Sequence, residues 1–132
     1  MSASDDETLN GIVALVIEDD GMQLMAMQML LESWGCAVLP AASAQAAAQV
    51  IAQGGQPDLI VSDFRLPDNI SGIDAVARVR QTLGRNLPAI LQTGDTDPSL
   101  VRDAQTHGYA LLHKPYDPNH LRSLMVTLIG RA

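Results

Sequence analysis

Five short apolar runs punctuate the chain, at Ile12–Ile17, Cys36–Leu39, Leu59–Val61, Ala89–Leu91 and Ala110–Leu112, and each is followed by a longer stretch with helical spacing. Continuous apolar runs of this length read as strands buried on both faces. The pattern therefore predicts βα repeated five times, an α/β fold whose parallel sheet is covered by helices on both sides. Right-handed crossovers limit the topology strongly, and the arrangement expected is a doubly wound five-stranded sheet of order 2-1-3-4-5. Helix ends are partly signposted. Gly35 is placed to end the first helix after Trp34, and Ser43 to cap the second, which stops at Gly54-Gly55 before Pro57. Asp97-Pro98 and Asp117-Pro118 each set a capping carboxylate before a proline at the first helical position. Residues 1–10 lack periodicity and read as a polar tail or linker, with the folded domain expected over 11–130.

Composition narrows the function classes. The 132 residues suit one domain, and 47% hydrophobic with 17% charged residues marks a globular chain, not a disordered one. Eight Lys+Arg against 15 Asp+Glu give a net charge of −7, which repels phosphate backbones and anionic headgroups. Direct nucleic-acid or membrane binding by this segment is not expected. Cys36 is the single cysteine and reads as a small buried filler, while His107, His113 and His120 are too dispersed for a zinc set. A reducing, cytoplasmic setting fits this usage, since the acidic, polar N-terminus is unlike a signal peptide and no apolar run approaches the roughly 18 residues of a membrane span.

The chemistry-bearing residues gather at the carboxyl ends of the expected strands. Glu18, Asp19 and Asp20 follow the first, Asp63 the third, Thr93 the fourth, and Lys114 ends the fifth. In the order 2-1-3-4-5 strands one and three are neighbours at the switch point, where such sheets bind ligands, so Glu18, Asp19 and Asp63 converge. Crowded carboxylates repel unless protonated or joined by a hard cation such as Mg²⁺. The Thr93 hydroxyl and Lys114 ammonium, arriving from the other side, suit the oxygens of a phosphoryl group. Any one of these residues alone reads as a cap, a turn or a solvated side chain; their shared edge is what argues for a site.

The segments Leu15-Val16-Ile17-Glu18-Asp19-Asp20, Pro57 to Pro67 around Asp63, Gln92-Thr93-Gly94-Asp95 and His113-Lys114-Pro115 together resemble the receiver domain of two-component response regulators, in order from about Gly11 to Ile129. The resemblance implies a flavodoxin-like receiver fold with Asp63 as phosphoacceptor. It also implies Mg²⁺ held by Asp19, Asp63 and the Arg65 carbonyl, Glu18 acting on the metal through water, and Thr93 and Lys114 gripping the phosphoryl group. The implied partner is a histidine kinase, through its helical dimerisation and phosphotransfer domain, or a histidine phosphotransfer protein. A cis Lys114–Pro115 bond belongs to the same pattern.

Two departures stand out. Leu111 occupies the place three before the lysine that often holds an aromatic switch residue, with Tyr109 two positions further back. The Pro67–Gly72 stretch is one residue longer than the commonest spacing, which, with Leu111 to Pro115, is similar to the C-terminal receivers of hybrid sensor histidine kinases. Two further expectations come from position: Arg65 and Asp95, each two residues past a pocket residue, form a gate against water, and Met22, Met25 and Met29 with Ala26 form an apolar stripe on the first helix for docking the kinase. Two other function classes stay open, a pseudo-receiver scaffold without phosphorylation and an Asp-based phosphohydrolase. Asp63-Phe64-Arg65 lacks the second aspartate such hydrolases use as an acid.

Overall fold

The computed structural model describes residues 8–94 and 98–130. Strands and helices alternate along the chain: β1 (Val13–Ile17), α1 (Gly21–Ser33), β2 (Ala37–Ala41), α2 (Ala44–Ala52), β3 (Leu59–Asp63), α3 (Gly72–Leu83), β4 (Ala89–Thr93), α4 (Pro98–His107), β5 (Ala110–His113) and α5 (Pro118–Ile129), with a 3₁₀ turn at Pro67–Asn69 between β3 and α3. All five strands are parallel in the order β2-β1-β3-β4-β5, the doubly wound arrangement expected from the apolar runs.

Alternation along each strand feeds two cores. Leu15, Ile17, Ile60 and Leu91 point to the face covered by α2 and α3, where Ala47, Ile51, Val76 and Val79 pack. Ala14, Val16, Val61, Ile90 and Leu112 point to the opposite face, covered by α1 and α5 through Met27, Leu31, Leu121 and Met125. Packing begins earlier than the sequence suggests. Leu9 is fully buried in this second core, and its carbonyl accepts from the Ile12 amide at 3.1 Å and faces the Cys36 sulfur at 3.6 Å, so the segment assigned to a polar tail contributes to the core at its end. A lone leucine in a polar run carries no periodic signal. Cys36 itself is buried, and burial pushes its thiol up to about 11, which keeps it protonated.

Caps fall where the side chains announce them. The Ser43 hydroxyl accepts from the Ala46 amide at 3.0 Å, and the Asp117 carboxylate from the Asn119 amide at 2.9 Å. Gly35 has a positive φ of 89° just past α1, closing that helix. Asp97 lies outside the described residues, although α4 does begin at Pro98. Among the described residues no helix is long and apolar enough to cross a membrane.

Four strands run past the ends their apolar runs suggest, and the reason bears on function. Ser62, Asp63, Gln92 and Thr93 are polar yet remain in the ladder, with Ile17 level with Ser62, Asp63 with Gln92, and Thr93 with His113. β2 likewise continues through Pro40, which an edge strand tolerates because one side of its backbone needs no partner. The sheet is apolar in the middle and polar at its carboxyl edge, and that edge builds the site.

Candidate functional site

β1 ends at Ile17 and delivers Glu18, which is only 1% exposed, directly beside the end of β3. A carboxylate so covered needs partners, and it has three. Glu18 Oε2 accepts from the Asp20 amide at 3.2 Å, and Oε1 accepts from Gln92 Nε2 at 3.4 Å and from Lys114 Nζ at 3.3 Å. Burial nonetheless pushes its pKa up, and the neighbouring Asp63 charge adds to that, against the Asp20 amide and Lys114, which pull it down.

Asp63 closes β3. Its carboxylate meets Lys114 Nζ at 3.2 Å, so one ammonium serves two acidic groups. Burial alone would lower the Lys114 pKa, but Asp63 and Glu18 outweigh it and hold the lysine above its ordinary value, firmly charged. The Lys114–Pro115 peptide is cis, in keeping with the resemblance. The β3 end is also held tightly from behind. The Ser62 hydroxyl donates to the Asp63 carbonyl at 2.9 Å, the Gly72 amide donates to the Phe64 carbonyl at 2.6 Å, and a Cβ at Gly72 would collide with the Asp63 carbonyl oxygen.

Glu18, Asp19 and Asp63 each offer a carboxylate oxygen, and the three lie within 4.8 Å of one another. An all-oxygen, anionic donor set at this spacing fits a hard divalent cation such as Mg²⁺ and is a poor match for softer metals. Beside it Asp63, Arg65, Thr93, Gly94 and Lys114 line an open cavity of about 300 Å³, with Thr93 buried in its wall. A second cavity of about 390 Å³ lies over the β3–α3 loop, lined by Phe64, Arg65, Leu66, Asn69, Ile70 and Ser71, without any of the three clustered carboxylates.

A model of the response regulator receiver domain matches residues 14–126. The chain belongs to that family. At 28% identity it is similar to the phyllosphere-induced regulator PhyR of Methylorubrum extorquens over 84% of this chain and 41% of PhyR. It is 32% identical to the transcriptional regulatory protein FixJ of Azorhizobium caulinodans over 89% of this chain and 54% of FixJ. It thus spans about half the length of these two relatives, or less. Among solved structures, the signal receiver domain of an HD domain-containing protein from Pseudomonas fluorescens superposes with a TM-score of 0.80 at 28% identity, covering 92% of this chain and 96% of that one. Receiver domains of this family work with histidine kinases or phosphotransfer proteins in two-component systems and bind Mg²⁺ at an acidic pocket.

Glu18, Asp19, Asp63, Thr93 and Lys114 are brought to one edge of the receiver sheet, and Arg65 follows β3 at the cavity rim. Asp95 lies outside the described residues, so the suggested Arg65–Asp95 gate does too. Leu111 packs against the α2–α3 core, while Tyr109 is buried with the Arg80 guanidinium 4.6 Å from its ring centroid and His107 stacked on it at 5.8 Å. Burial pushes the Tyr109 hydroxyl up, Arg80 pulling the other way. His113 and His120 are exposed.

Three site residues escaped the sequence reading. Gln92 is buried under Glu18, Gln23 of α1 accepts from Lys114 Nζ at 2.9 Å, and Tyr116 points its hydroxyl at the Met27 sulfur, 3.8 Å away, close enough to the pocket that its pKa, raised chiefly by burial, also responds to Lys114 and Glu18. Neutral amides carry no motif on their own. Gln23 lies one turn before Met27 but stays exposed, and nothing in the sequence sets it apart from Gln28 on the same helix.

Proposed function

We propose that this receiver takes a phosphoryl group from a phosphohistidine onto Asp63 and passes the change in charge to a partner surface. The observation that carries the proposal is the Asp63–Lys114 pair at 3.2 Å, set against Glu18 and Asp19 at the mouth of an open cavity. One Asp63 carboxylate oxygen attacks phosphorus, the P–N bond to the histidine breaks, and the histidine nitrogen leaves with the electron pair. Lys114, held charged by its two carboxylate neighbours, moves its hydrogen bonding from the Asp63 carboxylate to the incoming phosphoryl oxygens. The Thr93 hydroxyl at the end of β4 meets another of those oxygens from the opposite wall. Asp19, Asp63, the Arg65 carbonyl and, through water, Glu18 would hold Mg²⁺, which when bound neutralises charge on the phosphoryl oxygens. Water later cleaves the acyl phosphate. Asp63→Asn is expected to end phosphoryl incorporation from acetyl phosphate with Mg²⁺, and labelling that persists in that variant would refute the acceptor.

The partner is read as the histidine-bearing helical bundle of a kinase or phosphotransfer protein, docking on α1. Met22, Met25 and Met29 are 84%, 63% and 64% exposed on one stripe flanked by the exposed Ala26, while Met27 and Leu31 face inward. Adaptable methionine side chains suit a helical partner beside the acidic pocket. Met22→Lys with Met29→Glu is expected to slow transfer from the kinase and leave acetyl phosphate labelling intact; equal slowing of both would return the stripe to the fold. We read the Pro67–Gly72 stretch, one residue longer than the commonest spacing, as that of a receiver from a hybrid sensor kinase. A histidine-kinase core encoded upstream in the same frame would establish that parentage.

A further inference from the structure

Lys114 has three ammonium hydrogens and three acceptors: Gln23 Oε1 at 2.9 Å, Asp63 Oδ1 at 3.2 Å and Glu18 Oε1 at 3.3 Å. The shortest of these contacts is made to a neutral amide on α1. We infer that Gln23 is a positioning residue which, with Glu18, orients the Lys114 ammonium so that its remaining N–H faces Asp63. The inference rests on the phosphoacceptor reading of Asp63 and adds the group that aims its lysine.

The first turn of α1 is built to hold that amide in place. The Asp20 carboxylate caps the helix by accepting from the Met22 and Gln23 amides at 3.0 and 3.1 Å, and its second oxygen lies 3.5 Å from Gln23 Nε2. A side-chain amide has one acceptor and one donor end. Here the donor end faces a carboxylate and the acceptor end an ammonium, so only one of its two orientations satisfies both neighbours. Spacing adds to this. Gln23 stands one turn before Met27, so the helix sets it at the rim of the pocket, exposed yet within reach of Lys114, while Met22 beside it points away.

The arrangement separates orientation from charge. Glu18 and Asp63 keep Lys114 ionised, but an ammonium on a four-carbon stem retains rotational freedom unless its hydrogens are fixed. When Asp63 becomes an acyl phosphate, Lys114 leaves the carboxylate for a phosphoryl oxygen, and the contacts to Gln23 and Glu18 keep the third hydrogen aimed as it does so. Gln23 therefore acts on the rate at which phosphoryl transfer is completed at a given donor occupancy, and not on capture of the donor.

Two substitutions divide acceptor from bulk: Gln23→Met keeps side-chain length without the acceptor, and Gln23→Glu keeps the acceptor. With Mg²⁺ and acetyl phosphate, Gln23→Met is expected to lower the maximal labelling rate roughly fivefold, the scale of one charge-assisted hydrogen bond near solvent, with the half-saturating donor concentration unchanged. Gln23→Glu is expected to keep the maximal rate and raise the half-saturating concentration, because its charge repels the anionic donor. In the protein without metal or donor, NMR of the Lys114 ε-methylene is expected to show two distinct proton shifts in wild type and Gln23→Glu that merge in Gln23→Met. An unchanged maximal rate in Gln23→Met, an equal fall in both variants, or merged ε-proton shifts in wild type would each overturn the inference. A wild type that takes no label refutes the acceptor reading instead, and the NMR comparison then still decides whether Gln23 holds the lysine.

Discussion

Asp58 and Asp63 bracket the same strand, yet they do different work. Asp58, just before β3, spends its carboxylate on the backbone: Oδ2 accepts from the Val13 amide at 2.9 Å and ties the start of β1 to the start of β3. Arginines at that end behave alike, Arg80 Nε donating to the Leu87 carbonyl at 2.9 Å and Arg85 to the Pro57 carbonyl at 3.4 Å. At the carboxyl end Asp63 faces Glu18, Asp19 and Lys114. The lesson concerns what a charge is left facing. One paired with a backbone amide is structural, whereas several sharing one ammonium retain unmet demand for a cation, and a ligand can satisfy it.

The contrast is sharpest in metal binding. Asp63→Asn should weaken Mg²⁺ binding, measured by calorimetric titration, by roughly tenfold or more, since a charged ligand is lost. Asp58→Asn should leave the affinity at the wild-type value. Equal weakening by both would erase the distinction. Next in size is the packing behind Asp63. Gly72→Ala forces a methyl group against the Asp63 carbonyl and should lower stability by about 1–3 kcal/mol in denaturant unfolding, whereas Gly84→Ala, at a glycine with open space around it, should cost only the strain of its positive φ. Asp58→Ala leaves the Val13 amide without its partner and should cost about 1–2 kcal/mol with phosphoryl labelling preserved.

The smallest effect is electrostatic and changes sign relative to the others. Glu18 binds its proton more tightly in the folded chain than at the ordinary value of 4.5, so the folded state carries more protons than the unfolded one as pH rises above 4.5, and stability falls over that range. Asp63 contributes to that upward shift. Without metal, Asp63→Asn should therefore raise stability by about 0.5–2 kcal/mol at neutral pH, as relief of active-site charge commonly does, with the gain shrinking as pH falls toward 4.5. Thermal unfolding in chelator across that range checks it; a destabilised variant at neutral pH would show that the bond to Lys114 outweighs the repulsion.

The sequence carried the sheet because parallel strands buried on both faces leave uninterrupted apolar runs, and it carried the acidic site because Glu18, Asp63, Thr93 and Lys114 each stand within two residues of the end of such a run. It carried the strand ends less well, for a related reason: Ser62, Gln92 and Thr93 are polar residues completing the ladder where the site begins, so hydropathy stops short of the residues that matter most. Gln23 was invisible for a different reason. An isolated amide on an apolar helix acquires meaning only when Lys114, distant in sequence, is placed beside it. Leu9 likewise needed the fold to show that a single leucine in a polar segment completes a core.

Chemical trapping of the acceptor tests the account most directly. Borohydride reduces an aspartyl phosphate to homoserine, so the protein incubated with Mg²⁺ and acetyl phosphate, reduced and read by peptide mass spectrometry, reports which aspartate carried the group. The account predicts homoserine at position 63, dependent on donor and metal, with Asp58 and Asp19 unmodified. Homoserine at another aspartate, or none at any position after incubation with donor and metal, would contradict it.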